Sequence, residues 1–91
     1  MRIEQLSEIF VKHLGARKDG GALLVPAEAE ASMYVGLEGT SLTISKVTRI
    51  EYSDTLVFVD TGKGERYVVG AEDVLAVKID KGGKGTAGFG K

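Results

Sequence analysis

The sequence predicts an α+β, β-rich domain: an N-terminal helix followed by a five- to six-stranded bent antiparallel sheet or a small open barrel. Three observations carry that expectation. Apolar residues recur at helical spacing between residues 2 and 14. From residue 33 onward the apolar period drops to two. The connections between the strand-like runs are short, which makes chain neighbours pair antiparallel.

At 100° per residue, Ile3, Leu6, Ile9, Phe10, His13 and Leu14 fall within one arc of about 140°. Glu8 and Lys12 have the spacing and order of a surface ion pair. Gly15 is placed to end the helix, because a residue without Cβ takes the left-handed conformation freely. Lys18-Asp19-Gly20-Gly21 reads as a turn, and Ala22-Leu23-Leu24-Val25 as a short strand stopped by Pro26. The Ala-Glu alternation from Ala27 to Ala31 suits a helix by propensity but supports no more than a single turn.

Met33 to Leu37 begins the main β region, closed by a tight turn at Glu38-Gly39. Leu42 and Ile44 alternate with Thr43 and Ser45, then Ile50 and Tyr52 with Arg49 and Glu51. Val47 is out of phase with both, which predicts a bulge or break near Ser45-Lys46. Ser53-Asp54 is a turn. Leu56-Val57-Phe58-Val59 is apolar on both faces and reads as a central, covered strand. Thr61 to Gly64 is a hairpin loop and Tyr67-Val68-Val69 the returning strand. After a turn at Gly70 to Asp73, the last strand runs from Val74 to Ile79, with Leu75, Val77 and Ile79 on one face.

Residues 1–80 are expected to form this single domain, and residues 81–91, with five glycines, a disordered Gly/Lys-rich tail. The formal net charge of −1 divides into an acidic body of −4 and a basic tail of +3. The chain has 91 residues and no cysteine, so it has neither a disulfide framework nor a thiolate metal site. No apolar run approaches the ~18 residues of a membrane span, and no membrane partner is expected. The amphipathic start does not read as a signal peptide, which gives a cytoplasmic expectation. No cofactor and no metal are expected.

The motifs that suggest chemistry each have a plainer reading. Asp60-Thr61-Gly62 after an apolar strand resembles the catalytic loop of aspartic proteases, which implies a homodimer whose two aspartates share a proton. Lys63 stands where that family has a small residue, and an Asp-containing hairpin turn is the plainer reading. Gly85 to Lys91 fits G-x-x-x-x-G-K in spacing, without a helix to receive phosphate. His13 lies within the helix's apolar arc and reads as a half-buried histidine at the edge of the core. Ser7, Ser41 and Ser53 lie in no nucleophile motif.

Lys46, Arg49, Lys63 and Arg66, with Tyr52 and Tyr67 nearby, form the candidate nucleic-acid or partner surface, a strip where cations track phosphates and rings stack bases. Glu51, Asp54, Asp60 and Glu65 are interleaved with it, which favours a solvated face with cross-strand ion pairs. The helix and the short strands after it resemble the Sm-like fold, and Val68-Val69-Gly70 followed by Val74 to Val77 is similar to that family's closing strands. That resemblance implies rings that bind RNA. Tyr67-Val68-Val69 with Glu72 to Val77 is similar to the end of cochaperonin chains.

The leading expectation is a non-enzymatic protein-interaction module that associates with itself through sheet edges. Leu23-Leu24-Val25 and Met33-Tyr34-Val35, with few charges, are the expected unguarded edges. A nucleic-acid-binding small barrel is the alternative, and a dimeric protease a remote one.

Overall fold

The computed structural model describes residues 1–80. The expected tail, and the glycine-rich Gly85 to Lys91 pattern within it, lie outside the described residues. The fold is α+β and rich in strand, as its patterning predicts. Among the described residues, however, the strands number eight, and they divide between two antiparallel sheets that do not close into a barrel.

The helix α1 occupies Ile3–Glu8 and continues as a π-helical turn over Ile9–His13. Its start is held by the Arg2 N–H, which donates to Oε1 of Gln5 at 3.1 Å. In the wider turn the Leu14 N–H reaches the Ile9 carbonyl at 3.1 Å, five residues back. That turn carries Phe10 and Leu14 into the core and leaves His13 exposed, so the expected half-buried histidine is corrected. Glu8 and Lys12 meet at 3.9 Å on the solvent side. Gly15 ends the segment with φ +75°, the left-handed conformation its position requires.

The strands are β1 (Arg17–Asp19), β2 (Ala22–Leu24), β3 (Glu30–Leu37), β4 (Thr40–Ile44), β5 (Val47–Ser53), β6 (Leu56–Thr61), β7 (Arg66–Gly70) and β8 (Val74–Asp80). The first sheet runs β1-β2-β5-β6-β7 and the second β4-β3-β8. The turn expected after Pro26 is present, with the Ala29 N–H on the Pro26 carbonyl at 3.1 Å. A further turn of 3-10 helix, Ala71–Asp73, joins β7 to β8. There the Met1 ammonium donates to the carbonyls of Ala71 and Val74 at 2.9 and 3.0 Å, tying the start of α1 to the crossing between sheets.

The phase break at Val47 has a specific cause. The chain leaves the three-stranded sheet at Ile44 and enters the five-stranded one at Val47, with Lys46 at φ 57° forming the corner. The β5–β6 register also shifts between Val47 and Arg49. Two expectations about strand position change. Leu23-Leu24 lies in β2, between β1 and β5, and Met33 to Val35 lies in β3, between β4 and β8, so neither is an edge. β6 is central in pairing order, but only Val57, Val59 and Thr61 are buried, and Leu56 on the opposite face is exposed. A second bulge, where β3 meets β8 between Tyr34 and Val35, takes Leu75 out of phase with Val77 and leaves it 62% exposed.

One core joins the helix to both sheets. Leu6, Phe10 and Leu14 pack with Ile50, Val57 and Val59 of the first sheet and with Met33, Val35 and Ile44 of the second. At about 25 cal/mol per Å² of apolar surface removed from water, burial of this set is the main stabilising term.

Candidate functional site

Alternation along β5, β6 and β7 separates the predicted surface residues. Ile50, Val57 and Val59 point into the core, and Tyr52 and Tyr67 share their side of the sheet, partly buried against it. Arg49 and Arg66 occupy the opposite, solvent-facing side. Asp60 lies directly between them, paired in register with Arg49 on β5 and Arg66 on β7. Lys46 sits at the sheet-switching corner and Lys63 in the β6–β7 loop, both exposed. The six residues are therefore split between two faces and two loops. The arginines do not share a face with the tyrosines.

The solvent face instead holds an ion-paired cluster. Arg66 donates to Asp60 through Nε at 2.7 Å and through a terminal nitrogen at 3.1 Å. Arg49 reaches the same carboxylate at 3.1 Å and Glu51 at 3.2 Å, and Arg66 lies 3.8 Å from Glu51. The Arg66 guanidinium also stands 5.5 Å from the centroid of the Phe58 ring. The hydrogen bond from Arg66 holds the Asp60 carboxyl below its ordinary range, and Arg49 adds to the effect. Two cations and two anions in contact leave little field to attract phosphate. Phe58 is the aromatic group missing from the predicted set. The two-residue period alone places it on the side of Asp60, and the β5–β6 register sets it level with Glu51.

Asp60-Thr61-Gly62 forms a hairpin shoulder. The buried Thr61 hydroxyl accepts the N–H groups of Lys63 and Glu65, each at 3.3 Å. The Gly62 N–H donates to the Lys46 carbonyl at 2.8 Å, which pins this loop to the corner between sheets. On the other side of the sheet the Tyr52 hydroxyl is buried without a hydrogen-bond partner among the described residues. Burial pushes its phenol up. Tyr67 donates to Glu65 at 3.1 Å, which raises its phenol too.

The four sheet edges differ in how they are guarded. β1 is three charged residues, Arg17-Lys18-Asp19. β7 begins with Arg66, and β8 carries Lys78 and Asp80 and is broken by the bulge at its start. β4, Thr40-Ser41-Leu42-Thr43-Ile44, has no charge, proline or bulge, and among the described residues pairs only with β3. Thr40, Ser41 and Thr43 are exposed, Leu42 is half-buried and Ile44 is core.

No protein-family model matches the chain, and neither a curated protein nor a solved structure matches it. Among the described residues no helix is long and apolar enough to cross a membrane. No group of three or more His, Asp or Glu side chains among them could hold a metal ion.

Proposed function

We propose that this protein is a non-enzymatic interaction module whose partner is another copy of itself, engaged through the β4 edge. The observation that carries the reading is the composition of that edge. An edge strand presents a row of unpaired N–H and C=O groups, and proteins that remain monomeric blunt such rows with charge, proline or bulges. β1 and β8 have such devices, β7 has a single charge at its start that is already paired with Asp60, and β4 has none. Thr, Leu and Ile also favour extended pairing. A non-enzymatic role is supported by the placement of the two most reactive-looking groups. The Asp60 carboxylate is tied to two arginines, and His13 faces solvent on the π-helical turn.

Sedimentation over a concentration series tests the reading. The wild-type chain is expected to dimerise. Thr43→Lys places a solvated ammonium on the edge at an exposed position and should weaken the dimer by about tenfold or more in Kd, equivalent to ~1.4 kcal/mol. A wild-type chain that stays monomeric at the highest accessible concentration would refute it.

A further inference from the structure

The turn between β1 and β2 joins an aspartate to a glycine, and the fold does little to restrain that link. We infer that Asp19-Gly20 is a site of covalent self-modification, at which Asp19 cyclises onto the Gly20 nitrogen and reopens as isoaspartate.

The chain has five aspartates and no asparagine, and only Asp19 precedes a glycine. Asp54 and Asp60 precede threonine, Asp73 valine and Asp80 lysine. Cyclisation brings the carboxyl carbon of an aspartate onto the next backbone nitrogen, and a side chain on the following residue crowds that approach. Branching at Cβ makes the crowding worst, so Thr55, Thr61 and Val74 shield the bonds before them. Glycine offers no obstruction.

The structure leaves both reacting groups free. Asp19 and Gly20 are exposed. Gly20 takes φ +64°, the positive value that a primed two-residue turn requires of its first central residue, and nothing lies within 4 Å of where its Cβ would stand. Its N–H donates no hydrogen bond among the described residues. The Asp19 carboxylate has no ion pair among them either, whereas two arginines fix that of Asp60. The remaining restraint is the extended backbone of Asp19, whose ψ has to leave the strand range for the ring to close. That restraint is weak. β1 is three exposed residues paired with β2 alone among the described strands, and such an edge frays at little cost in free energy.

The reaction needs solvent water alone. The Gly20 nitrogen attacks Cγ of Asp19 in its acid form. A C–N bond forms and a C–O bond breaks, and the carboxyl hydroxyl leaves with the amide proton as water. Water then adds to either carbonyl of the succinimide. Opening at the side-chain carbonyl restores Asp19. Opening at the main-chain carbonyl frees the α-carboxylate and leaves Gly20 bonded through Cγ, so that Cβ enters the backbone. Mass and charge return to their starting values, but the connection from β1 to β2 is longer by an atom. Asp19 and Ala22 then no longer close the turn as a pair, and β1 loses its register. The Val25 N–H bonds the Thr48 carbonyl on β5 at 2.8 Å, so alternation directs the backbone groups of Ala22 and Leu24 toward β1.

Incubation of the full chain for several weeks at neutral pH, then labelling by a methyltransferase specific for isoaspartyl carboxylates, tests the inference. Mapped on proteolytic peptides, label is expected at Asp19 and at no other aspartate. It should accumulate within about tenfold of the rate in a synthetic peptide of residues 15–24, because opening a frayed edge costs little. Asp19→Glu, whose longer side chain closes a larger and disfavoured ring, should abolish the label. Asp19→Asn, which loses ammonia in place of water, should hasten it. In the modified fraction, amide exchange should quicken at Ala22 and Leu24. Label at another aspartate, or accumulation more than about tenfold slower than in the peptide, overturns the inference. Unchanged exchange at Ala22 and Leu24 overturns the predicted loss of β1.

Discussion

Asp60 shows how one side chain can carry a suggestive motif and a structural duty together. Its carboxylate takes three arginine hydrogen bonds on an open sheet face, an arrangement whose strength comes from being a network and not an isolated pair. Because its folded-state pKa lies below the unfolded value, the stabilisation is complete above the unfolded carboxyl pKa, about 4, and is lost as pH falls through the lower folded value. Asp60→Asn should therefore cost about 0.5–1 kcal/mol in urea unfolding at pH 7. The gap to wild type should close as the medium is acidified past that range. Tyr52 gives the opposite expectation. Its hydroxyl is buried without a partner among the described residues, so Tyr52→Phe should leave stability unchanged or raise it by up to about 1 kcal/mol in the same assay. Both groups are recognisable in the sequence as residue types. The separation of Tyr52 and Tyr67 from Arg49 and Arg66 was also legible, since Arg66 and Tyr67 are adjacent and alternate in direction. What the sequence lacks is the cross-strand register that sets Asp60 between two arginines of different strands.

At the scale of elements, periodicity locates the helix but not its change of pitch. A π-helical turn adds one residue to a loop of backbone and has no marker in composition. The six-residue arc correctly includes Leu6, Phe10 and Leu14 and wrongly includes His13 for this reason. Phe10 is wholly buried at that turn, and Phe10→Ala should cost about 3–5 kcal/mol, read from the shift of the urea midpoint with an unchanged slope. β1 was illegible for a different cause. Its three residues are all exposed, so nothing alternates, and it exists by pairing with β2. The Ser45-Lys46 break was visible as a lost phase, but a lost phase has the same appearance whether a strand bulges or changes sheet.

For the molecule as a whole, local pattern identifies strands and does not choose their partners. The runs from residue 33 to 79 were legible one by one, and the division into two sheets was not. That division depends on β2 reaching β5 and on β3 reaching β8, pairings that skip over intervening strands. The same ignorance of partners hid the candidate edge. β4 reads as an ordinary half of a hairpin until β8 is known to take the other side of β3.

The pairing of Glu30 with Asp80 also sets an order in time. β3 and β4 can close their hairpin within microseconds of being synthesised, because the loop between them is two residues. β3 must then wait for the 30 to 36 further residues that reach from Ile44 to β8 (Val74–Asp80) before its second edge is covered, and ribosomes add about 5–20 residues per second. Until β8 arrives, the hairpin is open along both of its outer edges.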